Sequence, residues 1–442
     1  MSKRILSAIT LLVIASMLFS ACGNANQEPT KVVATEEPIE EPTEEPTEEP
    51  TEEPVVVEIS SFTMGAVFPY TGALAEFGPA FEQATTLARL DLSAAGYDIE
   101  LVFGDTETSG TAATEVVRQL VEVEGVFVLL GAASSGVSRD VANAVTIPNQ
   151  VPQISYASTS PMLTYLPADE GQDFLFRTAP SDALQGPVLA QMVFDAGYTN
   201  VATLYVNNPY GQGLTGAFKT AFEALGGTVS AEVPHDEEVS TSYTAELQQA
   251  VAGGAEALVA ISYPGHATIY MKEAIEGGFI STFVFVDGTK SLDIVTAVGA
   301  EAVEGMCGTA PGSLETDSLA AFQSGWEAEF GELPPFPFLA PAYDAVVLAA
   351  LAAYEAQVAG EELTPTAIRD HLRSVSGPPG TQVFAGPEGL ALALELLAAG
   401  EAIDFVGASG HIDLDEYGDI SGPIEVWCYE DGEIISVELV GP

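Results

Sequence analysis

From Phe62 to Gly288 the chain alternates short apolar runs with longer amphipathic stretches, and that alternation leaves few architectures open. "FTMGAVFP" (62–69), "IELVFGD" (99–105) and "VFVLLG" (126–131) read as strands. Between them lie the helix-like "AFEQATTLARLDLSAAG" (80–96) and "AATEVVRQLVEVEG" (112–125). The pattern restarts after residue 180, with strands "VATLYVNN" (201–208), "TVSAEVPHD" (228–236), "ALVAISYP" (257–264) and "FVFVDG" (283–288). The helical stretches between these are 214–227, 243–254 and 268–278. Strands that are apolar throughout must be covered on both faces, which predicts parallel sheets with helices on either side. Two such series predict an α/β fold of two doubly wound lobes. A chain of 442 residues, 47% hydrophobic, has the length and apolar content for two cores.

In such sheets ligands bind beyond the carboxyl ends of the strands, where free N–H groups of the following helices point into the crevice. "VFVLLGAASSGVSRDVANAV" (126–145) runs from a strand into glycine, alanine and serine. Small side chains there let a ligand approach the backbone, and Ser135 offers a hydroxyl. An ordinary helix cap would read the same way. "VPQISYASTSPML" (151–163) repeats the design with Ala157, Ser158 and Thr159. In the second series the strand ends carry Tyr210 ("NNPYGQG"), Tyr263 ("ISYPGH") and Asp287 ("FVDGTK"). Hydroxyls and backbone N–H groups on one side, with aromatics and one carboxylate on the other, suit an amino acid. Its carboxylate would face the first lobe and its ammonium Asp287 and the tyrosines.

The N-terminus "MSKRILSAITLLVIASMLFSAC" has Lys3 and Arg4, an apolar run too short to span a bilayer, and small residues before Cys22. It reads as an export signal over residues 1–21, with Cys22 as the lipid-accepting thiol of a bacterial lipoprotein. In "EPIEEPTEEPTEEPTEEP" (37–54) the prolines fix the backbone and the glutamates repel one another, so residues 22–55 are expected to form an extended tether. Residues 1–58 carry 12 acids and 3 bases, leaving 52 acids and 9 bases to the body. A net charge of -52 excludes nucleic acid as a partner. The expected location is the outer face of the cell membrane, held by the lipid alone, as a monomer. Cys307 and Cys428, an even pair in an exported chain, read as a disulfide, with two buried thiols as the alternative.

Several stretches, in this order, resemble the type I periplasmic-binding-protein fold and the branched-chain amino acid (Leu/Ile/Val) receptors of ABC importers. They are "FPYTGALAEFGPAFEQATTLARLDLSAAG", "LLGAASSGVS", "SYASTSP", "LFRTAPSDALQGPVLAQMV", "YVNNPYGQG" and "SGHIDLDEYGDISGPIEVWCYEDGEI". The resemblance covers residues 56–440. It implies that Ser135 and Thr159 take the ligand carboxylate with backbone from Ala157, that Tyr210, Tyr263 and Asp287 come from the second lobe, and that Phe77 packs on the ligand. Leucine receptors of the family usually have Glu where Asp287 stands and often Tyr where Phe77 stands, so the amino acid is open. Receptors for amides and urea-like solutes share the fold. The resemblance also implies three crossovers, near Thr178, Pro311 and Phe405. Residues 56–177 and 312–404 then form the first lobe, and 178–311 and 405–442 the second. Cys307, just past the last strand of the second lobe, and Cys428 would both lie in that lobe near the hinge. A ligand touching both lobes would favour the closed form, which an ABC permease would recognise.

An enzyme would need an activated nucleophile or a metal. There is no G-x-S-x-G elbow, and His235, His266, His371 and His411 have neither triad nor zinc spacing. No catalytic residue, metal or cofactor is expected. His266, near Tyr263, is expected to be solvated or to line the ligand. A lipoprotein sensor signalling through a separate membrane protein is the rival role.

Overall fold

The alternation becomes two parallel sheets in the computed structural model, which describes residues 59–441. The expected signal segment (1–21), Cys22 and the tether (22–55) lie outside the described residues. The first sheet holds β1 (Thr63–Phe68), β2 (Glu100–Asp105), β3 (Val128–Leu130), β4 (Gln153–Ser155) and β5 (Leu175–Arg177), in the order β2-β1-β3-β4-β5. The second holds β6 (Asn200–Val206), β7 (Thr228–His235), β8 (Ala257–Ile261) and β9 (Phe283–Val284), in the order β7-β6-β8-β9. Every pairing in both is parallel. In each sheet the chain reverses direction of growth at its first strand, so the crevice opens beyond Phe68 and beyond Val206.

Side-chain alternation along β1 divides the first core. Met64, Ala66 and Phe68 face helices Gly78–Ala95 and Leu339–Val358, while Val67 packs with Ala113, Val117 and Val141 on the opposite face. Helix Leu339–Val358 is long and apolar enough to cross a membrane, the one such helix among the described residues, yet it is enclosed within the fold. It packs against helix Gly78–Ala95 and against a small third sheet of β11 (Thr381–Phe384), β12 (Ile403–Gly407) and β13 (Gly410–His411). The second sheet is widened by β10 (Cys307–Pro311), β14 (Ile424–Glu430) and β15 (Glu433–Val440), joined to β9 by a bridge between Phe285 and Gly308. The turn between β14 and β15 puts Asp431 (φ 54°) and Gly432 (φ 82°) in left-handed backbone, the two-residue turn that suits the strand twist.

Two expectations need correction here. Phe405 was expected at the third crossover but lies inside β12, paired with Val383. The chain beyond it stays with the first lobe because buried groups hold it there. The Ser318 hydroxyl donates to the Val406 carbonyl, and Asp344 on the long helix accepts from the Ala408 and Ser409 amides at 2.6 and 2.9 Å. Only past Ile420 does the chain turn into β14. Cys307 does not trail the last strand of the second lobe but opens a strand of its own, β10, directly opposite Cys428 of β14. The two sulfurs are 2.00 Å apart and close a span of 121 residues.

A covalent link across so long a loop restricts the unfolded chain. Reduction with dithiothreitol, or the Cys307→Ser/Cys428→Ser pair, should destabilise the protein by about 2–4 kcal/mol, read as a lower melting temperature in calorimetry; an unchanged melting temperature contradicts it.

Candidate functional site

The rims at the two switch points meet over a small cavity, about 30 Å³, walled by Leu74, Phe77, Phe81, Ala133, Ser135, Ala157, Tyr210, Tyr263, Asp287, Gly288 and Phe338. Most of the wall follows from the strand order. Leu74 and Phe77 come after β1, Ala133 and Ser135 after β3, Ala157 after β4, Tyr210 after β6, Tyr263 after β8, and Asp287 after β9. The space is well below the 300–1,000 Å³ typical of a small-molecule site, so a solute enters only as the rims part.

Hydroxyls lash the first-lobe rim together. Ser138 Oγ lies 3.0 Å from the Ala132 amide, and Ser155 Oγ donates to the Ala132 carbonyl at 2.7 Å. Ser158 belongs to this scaffold and not to the cavity wall, contrary to expectation. Its hydroxyl is fully buried against Ser138 Oγ (2.8 Å) and the carbonyls of Ala132 and Ala133. Thr159 also stands behind the wall. Its hydroxyl is buried beside Asp182, and its carbonyl accepts from the Asp182 amide at 2.8 Å. Arg177 locks the loop from behind, donating to the carbonyl of Ser160 at 2.9 Å and to Asp419 at 2.5 Å. At Gly131, φ is 118° and a β-carbon would come within 2.8 Å of the Val67 carbonyl oxygen, so this bend requires glycine.

The second-lobe rim is aromatic and acidic. Asn208 caps helix Pro209–Ala224 and so places Tyr210 in its first turn; Tyr263 occupies the cap position of helix Pro264–Glu276. The two rings stack at 5.6 Å. Tyr263 Oη lies 3.1 Å from Ser134 Oγ across the cleft, while Tyr210 donates to Asp287 at 2.9 Å. Asp287, 3% exposed, also accepts from Gln185 Nε2 at 2.9 Å. Burial pushes its carboxyl up to about 6, against the pull of these donors. Gly288 leaves the space that Tyr210 occupies, for a β-carbon there would lie 2.9 Å from the tyrosine oxygen.

The sequence reading missed Asp182, Gln185 and Phe338. Asp182 is fully buried behind the wall beside the Thr159 hydroxyl, and burial together with the charge of Asp287 raises its pKa well above the carboxylate range, against the pull of Thr159 and Arg177. In "PSDALQ" it looks like an acid in a first helical turn behind the Ser181 cap, as it also is. Phe338 reaches the wall from a proline-flanked turn in left-handed backbone (φ 68°), which no local pattern announces. His266 is neither solvated nor in the wall. It is buried, Nε2 lies 2.9 Å from the Glu237 carbonyl, and burial lowers its pKa to about 3.

Because Asp287 is raised from 3.8 to about 6 on folding, its contribution is complete below about 3.8 and lost as pH rises through 6. The unliganded protein should therefore lose stability between pH 4 and 6.5, and Asp287→Asn should flatten that slope in thermal melts. A slope unchanged by the substitution would remove Asp287 as its source.

Residues 61–391 match the model of the periplasmic binding protein family. The chain is 27% identical over 361 residues to the chemotactic signal transduction substrate-binding protein BasB of Halobacterium salinarum, covering 80% of this chain and 83% of that one. It is 25% identical to the leucine-, isoleucine-, valine-, threonine- and alanine-binding protein of Pseudomonas aeruginosa, covering 68% and 80%. In three dimensions it is similar to the leucine-binding protein LivK of Thermotoga maritima, with a TM-score of 0.71 and 22% identity over 86% of this chain and 99% of that one. It is also similar to a solute-binding protein from R. palustris in complex with benzoate, with a TM-score of 0.69 and 18% identity over 87% and 97%. A doubly wound pair of lobes that meet at their switch points, matched by the family model across both sheets, makes this chain a member of the periplasmic binding protein family, a solute-binding protein of the type that serves ABC transporters.

Proposed function

We propose that the protein captures an α-amino acid with an apolar side chain between its lobes. The observation that carries this reading is the buried pair Asp182 and Asp287. Asp287 stands in the cavity wall and its charge reaches Asp182, buried behind it, so that the two carboxyls form a seat for a cation. An ammonium group supplies three donors and the compensating charge. Across the cavity Ser135 suits the carboxylate, with Ala157 lending backbone. Phe77, Phe81, Leu74 and Phe338 receive the side chain. An aromatic acid such as the benzoate held by one structural neighbour has nothing to offer the two acids, which favours the amino acid. Amides and urea-like solutes, which donate without charge, are the chemical alternative.

In this reading the protein is exported, lipidated at Cys22 and tethered by residues 22–55, and the closed form hands its solute to an ABC permease. The likeness to a chemotactic receptor supports a second role on the same binding chemistry, in which the closed form is read by a signalling protein. A transport assay with the cognate permease and a swimming assay separate the two.

A ligand that binds only the folded state raises its melting temperature, by about 2.7 kcal/mol of stability at a hundredfold excess over Kd. Among amino acids, amides and aromatic acids, leucine, isoleucine or valine should give the largest shift. Asp287→Ala and Asp182→Asn should each weaken that binding more than tenfold in calorimetry. A shift with benzoate or urea and none with any amino acid would overturn the proposal.

A further inference from the structure

Closure needs contacts that exist only when the rims meet, and one of them stands outside the cavity. Glu76, in the loop after β1, reaches across to the second lobe. One carboxyl oxygen accepts from the Ser291 hydroxyl and the other lies 3.4 Å from the Asp293 amide. Beside it the Ala73 carbonyl accepts from the Gly265 amide at 3.1 Å, so the whole loop spans the cleft. We propose that Glu76 is a positioning residue for solute capture, a clasp that couples closure of the cleft to the placement of Phe77 and Asp287. This inference rests on the solute-binding reading above.

Both ends of the clasp are tied to the cavity wall. On the first lobe Glu76 precedes Phe77, and its loop is braced by the Leu74 amide donating to Thr108 Oγ1 at 3.2 Å and the Tyr70 amide donating to Asp105 at 3.0 Å. On the second lobe the segment from Asp287 to Ser291 is held at each step. Asp287 accepts from Tyr210 and Gln185, Thr289 Oγ1 donates to the Ala260 carbonyl, Lys290 pairs with Glu425 at 2.5 Å, and Tyr429 donates to the Ser291 carbonyl at 2.7 Å. A segment so fixed moves as one piece. Seating Ser291 against Glu76 therefore also seats Asp287 against the ligand.

The groups facing Glu76 are Asp293 and Tyr429, while Lys290 is engaged with Glu425. Burial in the closed form, with Asp293 adding to it, pushes the Glu76 carboxyl up to about 7 from 4.5. Closing therefore takes up a proton. The clasp is strongest below about 4.5 and weakens as pH rises through 7. This runs opposite to Asp182 and Asp287, whose ionisation with rising pH favours a bound ammonium.

The test uses the full chain and the amino acid giving the largest thermal shift, with affinities measured at pH 6 and pH 8. Glu76→Ala should weaken binding about tenfold at pH 6, mostly through faster release, while the unliganded protein keeps a cooperative melting transition. Ser291→Ala should weaken it similarly, and the double variant should be no weaker than either single one. Glu76→Gln, a neutral isostere, should restore binding at pH 6 and bind more tightly than wild type at pH 8. Affinities of Glu76→Ala within twofold of wild type at both pH values, or additive losses in the double variant, overturn the clasp. If no amino acid in the panel binds, the solute reading fails and small-angle scattering still decides this one: Glu76→Ala must enlarge the radius of gyration of the unliganded chain, and identical profiles overturn it.

Discussion

Asp287 lines a closed cleft with Asp182 buried behind it, and a carboxylate taken out of water needs donors or a counter-charge. Asp287 has donors in Tyr210 and Gln185, whereas Asp182 has only the neighbouring Thr159 hydroxyl. Arg177, whose charge reaches Asp182, is bonded to Asp419 and to backbone carbonyls. The rest of the site follows from this imbalance. The hydroxyl-lashed first rim holds a concave face, Tyr210 holds Asp287 in place, and in the proposed reading the hinge lets these acids meet a cation from solution. A site satisfied in isolation would gain little by closing on a ligand; one that lacks a positive group gains most from a ligand that brings it.

Much of this was legible in the sequence because strand ends are. Apolar runs give the strands, the parallel order places their carboxyl ends together, and residues just past those ends fall on the rims. Ser135, Ala157, Tyr210, Tyr263 and Asp287 were named on that ground and Phe77 from the family resemblance, and the structure brings them around one cavity. The exceptions share a physical cause, the chemical ambiguity of short motifs. A serine that bonds a ligand and one that ties two loops look alike, so Ser158 was placed in the wall and Ser138 was overlooked. An acid in the first turn of a helix satisfies the helix dipole by default, which hid Asp182. The third crossover was misplaced because the strand carrying Phe405 owes its position to Asp344 and Ser318, residues 61 and 87 positions away in a helix and a cap that no local window includes.

Closure also explains why the wall is built from large rings rather than flexible aliphatic chains. Phe77 meets Phe336 edge-on at 5.2 Å, Phe81 meets Tyr156 at 4.9 Å, and Tyr210 lies flat on Tyr263. Aromatic rings lose little rotational freedom on ordering relative to the area they cover. A cavity this small therefore discriminates by shape, since a ring that cannot bend cannot yield to an extra methylene.

The scarcity of bases sharpens the picture of what holds the lobes. With 52 acids and 9 bases beyond residue 58, surface repulsion opposes any compact arrangement. Three of those bases form ion pairs between distant parts of the chain: Arg177 with Asp419 across 242 positions, Lys290 with Glu425 across 135, and Arg373 with Asp173 across 200. Arg177 and Lys290 are nearly buried, where a pair is screened little by salt. Each ties the C-terminal part of the chain to an earlier one: Arg177 and Arg373 join residues 415–419 and the third-sheet region to the end of the first sheet, and Lys290 joins β14 to the segment carrying Asp287. The cations thus stabilise the frame on either side of the hinge, and the cleft itself is left to acids, rings and hydroxyls. That division ties the lobes together as bodies while leaving the cleft short of positive charge, the condition that the proposed ammonium-bearing solute would need to shift the balance between open and closed.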